Sequence, residues 1–284
     1  MGENSKISWC HHTYNLIWGC EKIAPECAGC YAETWATRMG YHVWGKNKPR
    51  RQLSEKYWRE PLKWNARAEK NGERARVFCG SMCDWLEDHP TVHMERQKLF
   101  PLIEQTPWLD WLLLSKRNEN FDRAIPEKWW MEGVPTNVWI GMTAGCQETW
   151  NTCWPTLESI KHQTGRPAFV SVEPMIGPLD ITDDLVYIDI GDEECPRWLQ
   201  WPDWIIIGGE SEQPGHNARR IELDWVRKLI AQCKQSGIAV YVKQLGTAWA
   251  RNAGVFEHDR AGADWNNWPE DLRVREYPDG ATII

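Results

Sequence analysis

Seven times along this chain a short apolar, β-rich run ends in glycine, serine or a polar residue, with longer amphipathic stretches in between. The candidate strands are Asn15–Trp18, Arg76–Gly80, Trp111–Ser115, Asn137–Gly141, Ala168–Val172, Trp204–Gly208 and Ala239–Lys243. Helical candidates are Ala28–Met39, Thr91–Gln105, Gln147–His162 and Leu223–Ser236, the last with Leu223, Val226, Leu229, Ile230 and Cys233 on one face. This alternation predicts an α/β fold, a parallel sheet with outer helices, closed or partly closed into a (βα) barrel. The continuous Trp-Ile-Ile-Ile run at 204 to 207 suits a parallel strand covered on both faces. No internal repeat or low-complexity linker interrupts the 284 residues, so the expected organisation is one barrel over 1–246 and a polar extension, 247–284, packed on it.

In parallel barrels the chemistry gathers at the C-terminal strand ends. Here those ends read Gly19-Cys20, Gly80-Ser81-Met82, Ser115-Lys116-Arg117, Gly141-Met142-Thr143, Ser171-Val172-Glu173-Pro174, Gly208-Gly209-Glu210-Ser211 and Lys243-Gln244. A small residue followed by a polar one is what a ligand-binding rim needs, although strand-to-helix turns favour Gly and Ser on their own account. Glu173, Glu210 and Lys243 are the charged members; they either orient an amine or anion of a ligand or pair with one another or with Arg117.

Ten cysteines in a long chain with no secretory signal pattern favour metal ligation over disulfides for any tight cluster. No apolar run approaches the roughly 18 residues of a membrane span, and a cytoplasmic protein, in host cytoplasm if phage-encoded, is expected. The tight cluster is Cys20, Cys27 and Cys30, spaced by six residues and then two. Three thiols are enough to hold an iron–sulfur cluster while leaving one iron free, whereas a closed zinc site needs four ligands. Cys10, His11 or His12 could supply that fourth ligand, so zinc stays open, as do three unrelated buried thiols. Cys79, inside an apolar run, reads as packing; Cys83 is undecided.

The triplet closing a first strand resembles the radical S-adenosylmethionine superfamily, although its spacing differs from the usual three-then-two and no aromatic precedes the last Cys. Thr13-Tyr14-Asn15, Gly19-Cys20, Cys27, Cys30-Tyr31-Ala32-Glu33, Val77 to Asp84, Leu113 to Arg117, Ser171 to Pro174, Gly208 to Ser211 and Val242 to Gln244 look like a phage-associated branch of it. The resemblance, over residues 7 to 246, implies a barrel of the radical S-adenosylmethionine type. It also implies a 4Fe–4S cluster on Cys20, Cys27 and Cys30, S-adenosylmethionine on the fourth iron, and an external electron donor such as flavodoxin. Reductive cleavage would yield a 5′-deoxyadenosyl radical. Tyr31, Gly80, Ser81, Ser115, Lys116, Thr143, Ser171 and Glu173 would then contact the cofactor, and Glu173, Glu210 and Lys243 would serve catalysis.

The chain carries −7 overall, yet residues 46 to 76 hold eleven Lys or Arg against four acids. Trp44, just ahead of the 45–76 segment, and Tyr57, Trp58 and Trp64 within it accompany those charges, the mix that neutralises phosphates and stacks bases. Arg50, Arg51, Lys56 and Arg59 are the expected nucleic-acid contacts; a solvated charged helix is the competing reading. Twenty-one tryptophans serve core packing in the main. The branch's phage association implies DNA carrying hypermodified thymine as substrate, with radical isomerisation of an amino-acid-decorated, for example glycyl, thymine. A radical enzyme on a protein or small molecule and a non-enzymatic zinc-bound nucleic-acid module are the alternatives.

Overall fold

Trp9 lies inside the curve of a seven-stranded sheet, its ring 4.7 Å from Phe78, 6.5 Å from Phe169 and 6.1 Å from Trp204. A computed structural model describes residues 2–182 and 201–278. The strands are β1 (His12–Tyr14), β2 (Ala75–Cys79), β3 (Leu109–Ser115), β4 (Val138–Thr143), β5 (Ala168–Val172), β6 (Trp204–Gly208) and β7 (Ala239–Gln244). They lie side by side in chain order and every neighbouring pair is parallel. β1 and β7 remain edges, so the sheet is a partial barrel, as the alternation predicts.

Each strand splits its side chains by the two-residue period of a pleated sheet. Phe78, Leu112, Trp139, Phe169, Trp204, Ile206 and Tyr241 point into the concave side, where Trp9 and Cys10 join them. Val77, Cys79, Leu113, Ile140, Val170, Ile205, Ile207, Val240 and Val242 point outward into the larger core. α1 (Tyr31–Arg38) packs Ala32 and Ala36 against Val43 and Met82, while around that outer face stand α2 (Glu60–Asn71), α3 (Pro90–Glu104), α4 (Gln147–Thr164) and α5 (Leu223–Gln235). Val226, Leu229, Ile230 and Cys233 form the buried stripe of α5, four of the five positions its periodicity picks out. More than half of the tryptophans go to cores of this kind, including Trp85, Trp111, Trp150 and Trp154.

The first strand departs from the sequence expectation. It is His12–Tyr14 that pairs with Val77–Cys79, whereas Ile17–Trp18, within the expected Asn15–Trp18 strand, forms a two-residue antiparallel ribbon with Arg51–Gln52. The cause is tertiary: His12 and Thr13 are polar yet buried, His12 stacked on Trp64 at 4.5 Å. After β7 the chain turns back, and Val242 N–H donates to Val274 O at 2.8 Å while Leu245 N–H donates to Gly262 O at 2.8 Å. The end of the expected extension, 279–284, lies outside the described residues. Among those residues no helix is long and apolar enough to cross a membrane.

Candidate active site at the barrel mouth

The C-terminal strand ends surround a cavity of about 440 Å³, within the range of small-molecule sites. Cys20, Cys27 and Cys30 all line it. So do Tyr31, Gly80, Ser81, Ser115, Lys116, Thr143, Ser171, Glu173, Glu210 and Lys243. The rim residues picked out in sequence thus meet in one place, because parallel strands bring every C-terminal end to the same side.

The cysteine loop is anchored at three points. Gly19 N–H donates to Met82 O at 3.0 Å and Gly45 N–H to Cys20 O at 2.9 Å, fixing Cys20 between β2's end and the loop before the ribbon. Cys27 closes a 3-10 turn over Pro25–Cys27, and Cys30 is the N-cap of α1. Between them Gly29 admits the His216 imidazole; a Cβ there would lie 2.4 Å from His216 Cδ2. Burial pushes up the Cys20 thiol, with Asp84 adding to the rise and Arg117 opposing it; burial also raises Cys30. Thiols in such surroundings give up their protons when a metal takes them.

The charged rim residues are paired. Lys243 Nζ sits 2.7 Å from Glu173 Oε1, one of the pairings weighed in sequence, and Ser171 Oγ donates to Glu173 Oε2 at 3.3 Å. Glu210 pairs with neither Lys243 nor Arg117. It accepts from Arg219 Nη2 at 2.6 Å, Arg219 Nε at 2.9 Å and Arg219 N–H at 2.8 Å, with His216 Nε2 at 3.1 Å. Burial works against the Glu210 charge, but Arg219 and His216 hold its carboxyl below the usual carboxylate range. Lys116 Nζ donates to Thr143 Oγ1 at 3.2 Å, and Tyr31 OH to Ser81 O at 2.8 Å. Ser115 Oγ is engaged by Asp84 at 2.6 Å.

Sequence reading missed several cavity residues. Asp84 is a hub: it accepts from Ser115 Oγ, from Lys116 N–H at 3.0 Å and from Arg117 Nη1 at 2.9 Å. Glu26 is buried between two cluster cysteines, its Oε1 accepting from Gly145 N–H and Thr149 Oγ1, both at 2.7 Å. Its place between Cys20 and Cys27 was the signal available. His216 and Arg219 could be found only through Glu210.

The four expected nucleic-acid contacts, Arg50, Arg51, Lys56 and Arg59, differ in exposure. Arg50 does not face solvent: its side chain is 1% exposed, forks onto Glu87 at 2.8 and 2.7 Å, and donates to Val43, Gly45 and Lys48 carbonyls. Arg51 lies against both Trp18 and Tyr41, 4.4 and 4.2 Å from their ring centres. Lys56 and Arg59 are exposed. Tyr57, Trp58 and Trp64 pack around Tyr14 instead of offering stacking faces; Trp44 lines the cavity.

The proposed fourth zinc ligands lie elsewhere. Cys10 is in the concave core, burial pushing its thiol up to about 12. His11 Nδ1 accepts from Arg76 N–H at 2.8 Å, and His12 stacks on Trp64. None of the three lines the cavity. Cys79 is packed in the core as expected; Cys83 lines the cavity, its Sγ 3.8 Å from Asn15 Oδ1. Among the described residues no three His, Cys, Asp or Glu side chains converge on a single-ion site. Thiolates of a 4Fe–4S cluster each bind a separate iron, so the cavity-lining triplet fits a cluster without that convergence.

A partial parallel barrel with a thiol-bearing loop at its mouth is the class of protein that fold and site define. Within it, the chain belongs to the family described as "Protein of unknown function (DUF5131)", whose model matches residues 4–271. No curated protein matches. Among solved structures, spore photoproduct lyase complexed with dinucleoside spore photoproduct is 13% identical, covering 83% of this chain and 64% of its own, with a TM-score of 0.47. A double mutant of that lyase with bound AdoMet and the dinucleoside gives 13%, 83%, 64% and 0.46. A single cysteine mutant gives 13%, 61%, 48% and 0.42. The chain thus spans 48 to 64% of the length of these structures.

Proposed function

We propose that this chain is an iron–sulfur enzyme of the radical S-adenosylmethionine type. Cys20, Cys27 and Cys30 would hold a 4Fe–4S cluster and an external one-electron donor such as flavodoxin would reduce it. The observation that carries this reading is that the three thiols, and every rim residue expected to touch a cofactor, line one cavity. When bound, the cluster and S-adenosylmethionine supply a 5′-deoxyadenosyl radical for hydrogen abstraction. The protein's own part is to bind, orient and exclude water. Gly80 and Ser81 would approach the methionine moiety, and Tyr31 holds the Ser81 carbonyl. Lys116, Thr143, Ser171 and Glu173 supply polar groups for the rest, and Glu210 and Lys243 would orient the substrate.

For the substrate, the reading is an amino-acid-decorated thymine in phage DNA: hydrogen is removed from the attached glycyl carbon, a carbon–carbon bond from it to the thymine forms as the linking carbon–nitrogen bond breaks, and a hydrogen is returned to the rearranged radical. Enzymes that act on a base take it out of the stack, and a cavity of about 440 Å³ is too small to admit a duplex. The test is anaerobic reconstitution with iron and sulfide, then incubation with reductant, S-adenosylmethionine and DNA bearing the modified base. The reading expects a rearranged nucleoside of unchanged mass, formed only with S-adenosylmethionine and reductant present, by chromatography and mass spectrometry. Unchanged DNA removes the substrate assignment.

A radical enzyme acting on a protein or small molecule is favoured by one specific observation: Arg50 and the aromatics of the basic segment are engaged inside the protein. Neutralising the exposed Lys46, Lys48, Lys56 and Arg59 separates the readings. Activity on DNA should fall, with a shallower salt dependence; activity on a small molecule should not change.

A further inference from the structure

Arg117 ends a row of buried charges on the sulfur of a candidate cluster ligand. Its Nη1 lies 3.6 Å from Cys20 Sγ and donates to Asp84 Oδ2 at 2.9 Å, while Nη2 donates to the Glu21 backbone carbonyl at 2.9 Å. The residue is 6% exposed. Behind it, Glu87 stands 3.8 Å from Nη2 and is itself forked onto Arg50. Arg50, Glu87, Arg117 and Asp84 thus alternate in sign from the two-stranded ribbon to the cavity wall. Ser115 Oγ donates to the other oxygen of Asp84 and Lys116 N–H shares Oδ2 with the guanidinium, so Arg117 has little freedom to turn.

A guanidinium keeps its charge and presents its donors in a rigid fork. Burial opposes that charge here, but Asp84, Cys20 and Glu87 favour it and raise the Arg117 pKa on balance. Hydrogen bonds to ligating sulfurs and nearby net charge are among the levers that set a cluster's reduction potential. A positive donor beside a thiolate stabilises the more negative redox state.

We propose that Arg117, oriented by Asp84, is a positioning residue that eases reduction of a cluster bound through Cys20. This rests on the iron–sulfur reading of the site. The step concerned is transfer of one electron from the donor, which is oxidised, to the cluster, which is reduced; no bond to Arg117 forms or breaks. Asp84 fixes the fork and offsets part of its charge.

The test is an anaerobic titration of the reconstituted protein with dithionite and mediators, reading the reduced cluster by electron paramagnetic resonance. At the wild-type midpoint, Arg117→Met should lower the reduced-to-oxidised ratio at least tenfold, a shift of about 59 mV to more negative potential for a one-electron couple. Arg117→Lys should recover part of it. Asp84→Asn should move the midpoint the other way, since the positive charge is then less offset. Mere loosening of the site would move Arg117→Met and Asp84→Asn in the same direction, and that result overturns the proposal, as does an unmoved midpoint in Arg117→Met. If Arg117→Met assembles no cluster, Asp84→Asn decides alone, and an unmoved or lowered midpoint there overturns it. Wild-type protein that takes up no cluster overturns the iron–sulfur reading itself, so the two failures are distinct.

Discussion

Lys243 reaches Glu173 across an intervening strand: the two residues lie at the ends of β7 and β5, and their 2.7 Å ion pair passes over Gly208 at the end of β6. A Cβ on Gly208 would stand 2.7 Å from Glu173 Oε1, so the glycine is what lets the pair close. With side chains 25% and 14% exposed, the ions are mostly withdrawn from water. Lys243→Met should destabilise the fold by about 1–3 kcal/mol, the cost of leaving a buried polar group unpaired. Urea unfolding checks this, and Lys243→Met with Glu173→Gln should recover most of the loss.

Arg50 is a structural residue. Removing it leaves Glu87, whose side chain is 4% exposed, with only Arg117 at 3.8 Å among the ion pairs of the described residues, and frees three backbone carbonyls. Arg50→Ala should therefore cost about 3–5 kcal/mol, the range for breaking a buried pair by one partner. Lys56→Ala, at an exposed position, should leave the unfolding midpoint unchanged. Equal midpoints for the two variants would contradict this assignment.

Stability should fall on the acid side through His12. Burial lowers its pKa from 6.5 to about 4, so the unfolded chain binds a proton that the folded one refuses. The contribution is complete above pH 6.5 and is lost as pH falls toward 4, about 3 kcal/mol in all. His11, lowered to about 4 by burial with Arg76 and His12 adding, acts in the same sense. Denaturant midpoints measured between pH 7 and 4 should decline less steeply in His12→Gln; an identical slope would count against it.

Much of the fold was legible because six strands are apolar runs and parallel pairing needs no cross-strand code beyond them. β1 was misplaced because His12-Thr13-Tyr14 looks polar and owes its burial to Trp64, Tyr57 and Trp58, some 40 residues and more away. The rim residues were legible since strand ends carry the polar positions. Their partners were not: nothing near Arg50 announces Glu87, and nothing near Cys20 announces Arg117. The charges at 46 to 76 leave both a phosphate surface and a solvated charged helix open, but Arg50 and Arg76 turn inward, Arg76 onto the Trp9 carbonyl at 3.1 Å, and Arg74 pairs with Asp110 at 2.6 Å.

The central claim is that Cys20, Cys27 and Cys30 carry a four-iron cluster with a position open to S-adenosylmethionine. Anaerobic reconstitution followed by metal and acid-labile sulfide analysis tests it most directly. About four iron and four sulfide per chain are expected, lost in Cys27→Ala, kept in Cys83→Ala, with a resonance signal altered by S-adenosylmethionine. A colourless protein holding one zinc, or a cluster indifferent to Cys27→Ala, would contradict it.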